Sequence, residues 1–91
     1  METTPLIETV KPIGRGRLLV CFKNGEQRTY DCEPLFSRPQ FRLLANPAFF
    51  RAVRVDVGGY GVSWNDEIDL SEYELWTNGT PIANNPNSDY S

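Results

Sequence analysis

The sequence predicts an α+β fold: a small, mostly antiparallel sheet built from hairpins, with short helices, in the order β-β-β-α-α-β-β-α. Three observations carry this reading. The glycine turns Asn24-Gly25 and Gly58-Gly59 are each flanked by strand-like apolar residues, the pattern of hairpins. Capped or proline-headed segments between and after them read as short helices. Strands come in runs rather than alternating with helices, which points away from a doubly wound parallel sheet.

Ile7 to Ile13 alternates loosely and reads as a strand, and Pro12, lacking a backbone donor, places it at a sheet edge. Gly14-Arg15-Gly16 turns the chain into a second strand, Arg17 to Lys23, and Glu26 to Asp31 returns from it. Two registers are open for this hairpin. A two-residue loop at Asn24-Gly25 pairs Val20 with Thr29 and Phe22 with Gln27, mixing polar and apolar residues on one face. A three-residue loop, Lys23-Asn24-Gly25 with the glycine left-handed in a bulge, pairs Leu18 with Tyr30 and Val20 with Arg28. The second gives the more coherent face and is preferred.

Two short helices follow. Ser37 can cap the first and Gln40 can reciprocate, with Phe36 and Phe41 spaced as a hydrophobic staple. Pro39 falls in its first turn, where a missing N–H is harmless. Asn46-Pro47 starts the second helix as cap and first position, and it runs through Phe49 and Phe50. With Gly58-Gly59 as a two-residue loop, Val57 faces Tyr60, Val55 faces Val62 and Val53 faces Trp64, all on one face. The other face, Arg54, Asp56, Gly61 and Ser63, should see solvent or a partner. Finally, Leu70 to Leu75 holds a capping box (Ser71 with Glu74) and a staple (Leu70 with Leu75) for a helix of about two turns, ended by Asn78-Gly79 and Pro81. The organisation expected is one domain over residues 6–79 and a disordered polar tail over 80–91.

Composition narrows the function. The 91 residues include no histidine and two cysteines. Histidine-based relays, imidazole metal ligands and histidine pH switches are therefore excluded. Two cysteines make neither a structural zinc site alone nor a disulfide-rich scaffold. The net charge of −3 is unevenly spread: Lys11 to Arg54 carries +6, whereas everything from Val55 onward carries −7 and no base. Such blocks either pair across a sheet or face a partner. Met1 to Pro5 lacks a basic region and apolar run, and the longest apolar run, Leu18 to Phe22, is far too short to span a bilayer. A cytoplasmic protein without membrane contact is expected.

The residues that could carry chemistry mostly read as structural. Cys21 and Cys32 point to opposite faces in the preferred register, so no disulfide is expected and at least one belongs to the core. Asn65-Asp66-Glu67-Ile68-Asp69, with Asp56 nearby, lacks the glycine and distal glutamate of a calcium loop. It reads instead as turn chemistry, with Asp69 as a helix-start residue. Gly14-Arg15-Gly16-Arg17 precedes a strand, not a helix, and so is no phosphate loop. Seven arginines against two lysines suit bidentate recognition of anions, but the acidic balance and missing helix-turn-helix disfavour nucleic-acid binding. Trp64 belongs to the core by hairpin register. Tyr73 and Trp76, three apart on the last helix, either seal the sheet or anchor an interface. Arg54, Asp56, Tyr73 and Trp76 are the candidate interaction surface. No catalytic residue, metal ligand or cofactor site is expected.

Several runs also resemble a known family. The first half matches in Phe22-Lys23-Asn24-Gly25-Glu26, Tyr30-Asp31, Pro34-Leu35, Phe41 and Leu44. The second half matches in Phe49, Val53, Val55-Asp56, Tyr60 to Asp66, Asp69-Leu70 and Glu74-Leu75-Trp76, with Trp64 to Leu70 the most specific block. This pattern closely resembles the prokaryotic domain of unknown function 2442 family, over about Ile7 to Gly79. The resemblance implies a compact α+β domain with no established catalytic residue. It further implies a setting like that of toxin–antitoxin pairs, since many members are encoded beside another small protein. Some relatives carry a helix-turn-helix domain after the module, and the short polar tail here does not match one.

The expected function is therefore a non-enzymatic protein-interaction module, the partner or antitoxin-like component of a two-gene system. Its partner would be another protein such as the product of an adjacent gene, with homodimerisation through an open sheet edge as a further expectation. The alternative is a regulatory nucleic-acid-associated protein using the arginine-rich half. A small hydrolase or metal-dependent enzyme built on Asp56, Asp66 and Asp69 ranks below both.

Overall fold

The computed structural model describes residues 3–82. It is an α+β fold with every strand pairing antiparallel, as expected, but the strands form two sheets instead of one. The first, in order β1-β2-β3-β7, contains β1 (Ile7–Ile13), β2 (Arg17–Phe22), β3 (Gln27–Asp31) and β7 (Thr80–Pro81). The second, in order β4-β5-β6, contains β4 (Arg54–Val55), β5 (Gly61–Ser63) and β6 (Asp69–Ser71). The molecule is 19 Å across its thinnest direction, room for about two packed layers.

The first hairpin takes the three-residue loop. Leu18 pairs with Tyr30 and Val20 with Arg28, while Gly25 sits at φ 94°. Alternation along β2 then points Leu18, Val20 and Phe22 into the core and leaves Leu19 and Cys21 half-buried on the opposite face. β1 is an edge strand of its sheet, Pro12 opposite Leu18, with a bulge between Ile7 and Thr9. Pro12 and the bulge both blunt that edge against further pairing.

The connecting segment departs from the expected helix. Arg38, preceding Pro39, is held extended at φ −88°, ψ 132°, because the proline ring disfavours the helical region for its predecessor. The segment therefore splits into 3₁₀ stretches at Glu33–Ser37 and Pro39–Ala45. Ser37 caps neither, its Oγ donating back to the Pro34 carbonyl at 3.4 Å. The second start is as expected. Asn46 Oδ1 accepts from the N–H groups of Ala48 and Phe49, and α1 covers Pro47–Phe50.

The Gly58-Gly59 turn is wider than two residues. Gly59 N–H donates to Asp56 O and Asp56 N–H to Gly61 O, closing a loop over Val57 to Tyr60. Widening by one residue on each side preserves the register, and Val55 still faces Val62. Val57 and Tyr60, however, leave the inner face and are 97% and 63% exposed. The opposite face is open only at Arg54. Gly61 and Ser63 are buried, and the Ser63 hydroxyl donates to Asp56 Oδ1 at 2.6 Å, satisfying the pair internally.

Asn65 supplies the expected turn chemistry, its Oδ1 accepting from Glu67 and Ile68 N–H. Asp69 is not a helix-start residue; it pairs with Ser63 in β6, whose single buried side chain, Leu70, gives little alternation to read. Helix α2 (Glu72–Asn78) begins with the Ser71 cap accepting from Glu74 N–H. The return half of the capping box is not made, because Glu74 Oε2 accepts from the Tyr30 hydroxyl at 2.7 Å and from Asn78 Nδ2 at 3.0 Å. The domain boundary also moves. Thr80–Pro81, assigned to the tail, pairs with Thr29 and Arg28 as β7, the Ile82 N–H donates to the Gln27 carbonyl, and residues 83–91 of that expected tail lie outside the described residues.

The core joins the inner face of the first sheet to Cys32, Leu44 and Phe50 of the connecting segment, Val62, Trp64, Ile68 and Leu70 around the second sheet, and Leu75 of α2. Among the described residues no helix is long and apolar enough to cross a membrane.

Candidate interaction surface

The four residues singled out by sequence separate into two environments. Trp76 packs edge-on against Phe22, ring centroids 5.1 Å apart, and the Arg28 guanidinium lies 3.7 Å from its ring centroid. Arg28 Nη1 donates to the Trp76 carbonyl at 2.8 Å, and Nη2 pairs with Glu26 at 2.8 Å. The preferred hairpin register makes this clasp, because Arg28 opposite Val20 points toward the core side, where α2 lies. Trp76 thus seals the first sheet. Tyr73, one turn earlier, is 62% exposed.

Arg54 and Asp56 belong to the second sheet. Arg54 is exposed on β4, and Asp56 is half-buried under its bond from Ser63. β4 and β6 are the two edges of that sheet, so Arg54 and the start of α2 lie on opposite sides of β5. The loop over Val57 to Tyr60 spans the gap, since the Glu72 N–H donates to the Tyr60 carbonyl at 3.0 Å. Three large exposed side chains, Val57, Tyr60 and Tyr73, are thus carried on segments tied to one another. Sequence reasoning placed Val57 and Tyr60 on the buried face. No local signal separated the two loops, because paired glycines at positive φ equally suit the two-residue turn.

Among the described residues no ion pair joins the basic block to the acidic one; the one ion pair is Arg28–Glu26, both within the basic segment. The acidic segment forms β5, β6 and α2, whereas the basic segment forms most of the first sheet and the connecting stretch. Among the described residues no group of three or more acids or cysteines is arranged to hold a metal, and Asp56, Asp66 and Asp69 are not brought into one.

Two buried acids of the weak kind titrate late. Burial, reinforced by the nearby Asp31 charge, pushes the Cys32 thiol up to about 12. Burial and then the hydrogen bond to Glu74 raise the Tyr30 phenol well above its ordinary value. Both groups ionise in the unfolded chain before they do so in the folded one. Their contribution is therefore intact below about pH 9 and is lost as pH rises, by up to about 1.4 kcal/mol per pH unit for each group once its unfolded form titrates. Urea midpoints should hold steady near neutrality and fall steeply above pH 9, with Cys32→Val removing part of the fall. A midpoint flat to about pH 11 would contradict this assignment.

A family model described as a protein of unknown function, DUF2442, matches residues 7–81. No curated protein and no solved structure matches the chain.

Proposed function

We propose that this chain, which belongs to the DUF2442 family of proteins of unknown function, acts as a non-enzymatic protein-interaction module, the partner or antitoxin-like component of a two-gene system. The observation that carries this reading is the exposure of Val57, Tyr60 and Tyr73 on segments linked by the Glu72–Tyr60 hydrogen bond. Exposed tyrosines are the aromatic anchors that interface centres favour, and Val57 adds apolar area beside them. Co-expression with the product of the adjacent gene, followed by chromatography with light scattering, tests it. A stable complex is expected, weakened about tenfold or more by Val57→Asp and by Tyr73→Ser, both exposed changes that leave the melting temperature nearly unchanged. No complex, or one indifferent to both substitutions, sinks the reading.

A second reading, a regulatory nucleic-acid-associated protein, rests on the arginines left without carboxylate partners among the described residues. Filter binding across a salt series separates the two, because phosphate contacts weaken steeply with salt. An absence of binding at low salt removes it.

A further inference from the structure

The turn between β1 and β2 stands against the connecting segment and encloses a cleft of about 190 Å³. Its apolar lining comes from Phe36, Leu44, Pro47 and Phe50, of which Leu44 and Phe50 are core residues and so give it a fixed floor. Phe36 is held close by Gly16, where a Cβ would stand 3.0 Å from its ring. Arg15 on one wall and Arg51 on the other complete the lining, both exposed. Neither makes an ion pair among the described residues. No acidic side chain lines the cleft itself, but Glu33 packs beside Gly16 at its rim, and with Asp31 it lines an adjoining depression that shares Arg15 with the cleft.

We propose that this cleft binds a carboxylate carried on a compact apolar body. The planar guanidinium fork matches a carboxylate edge, and two forks from opposite walls can converge on one. The apolar floor would receive the body of the ligand and desolvate the ion pair above it. The volume is below the range of about 300–1,000 Å³ that holds a drug-sized molecule, so the occupant is a fragment the size of one large side chain. A phosphate would find an apolar floor where it needs donors, and the turn here leads into a strand rather than a helix N-terminus. A small free acid and the C-terminal apolar residue of another chain present the same chemistry. The site is separate from the Val57–Tyr60–Tyr73 surface and does not depend on it.

Titrating the full chain with phenylacetate, followed by backbone amide NMR, tests the proposal, with 2-phenylethanol as the uncharged control. Saturable shifts are expected at Gly14, Gly16, Ala45 and Arg51, with the alcohol binding about tenfold more weakly. Arg15→Gln and Arg51→Gln, both at exposed positions, should each weaken phenylacetate by a similar factor while leaving the remaining spectrum in place. A short peptide ending in a free phenylalanine carboxylate, compared with its C-terminal amide, then separates the sources. If the peptide acid outcompetes phenylacetate, the site takes a chain terminus; if it does not bind, the site takes a free acid. No saturable shift at those amides, equal binding of the alcohol, or indifference to both arginine substitutions overturns the proposal.

Discussion

Gly59→Ala should destabilise the protein by about 3 kcal/mol or more, read as a fall in the urea unfolding midpoint. Two effects combine. At φ 82° a side chain suffers the left-handed penalty of about 1–2 kcal/mol. A Cβ there would also stand 2.6 Å from the Ile7 carbonyl oxygen and 3.0 Å from the Ile7 nitrogen, backbone atoms of β1 that cannot swing aside. Overpacking of that kind adds about 1–3 kcal/mol. Gly25→Ala is the internal control. It has a similar dihedral, φ 94°, and nothing within 4 Å of the new methyl group, so it should lose only the conformational part. Equal losses at the two positions would mean that the close approach of the second sheet to β1 contributes nothing. Because Gly59 also sets the loop that carries Val57 and Tyr60 outward, the variant should weaken partner binding as well.

Trp64→Phe comes next, at about 2–3 kcal/mol. The indole is 4% exposed, stacks in a tilted arrangement with Phe50 at 5.9 Å, and donates from Nε1 to the Phe50 carbonyl at 2.9 Å. That bond satisfies a carbonyl at the end of α1, where the helix has no donor of its own to offer. Phenylalanine would leave the carbonyl unpaired and a void beside it. Far-UV circular dichroism in urea is the suitable measurement, since the substitution removes a fluorophore. A loss below about 1 kcal/mol would show that the carbonyl finds water or relaxes, and that the bond is dispensable.

Local chemistry was legible in the sequence; long-range contact was not. Asn24-Gly25 and the alternation around it fix the first hairpin, down to Leu18 opposite Tyr30, because turn geometry and a buried face both constrain register. Asn46 and Ser71 cap as their positions suggest. Ser37 does not, since the restraint of Pro39 on Arg38 outweighs a capping pattern that looks equally good on paper. β6 escaped notice because a three-residue strand with one buried side chain has no period. The clasp of Arg28 on Trp76 joins residues 48 apart, and no local rule reaches across that distance. It also divides the predicted surface, drawing Trp76 into the fold and leaving Tyr73 outside. The cleft between Arg15 and Arg51 is hidden for the same reason, its walls being neighbours only once the connecting segment packs against the β1–β2 turn.

The central claim is that the exposed loop of the second sheet and the start of α2 form a protein-binding surface. Amide hydrogen exchange of the chain alone and in complex with the adjacent gene's product tests it most directly. Protection gained at Val57 to Tyr60 and at Glu72 and Tyr73, with the outer face of β2 unchanged, is the expected result. A complex that protects the β1 edge or the arginine-rich segment while leaving those positions exchanging freely would contradict it.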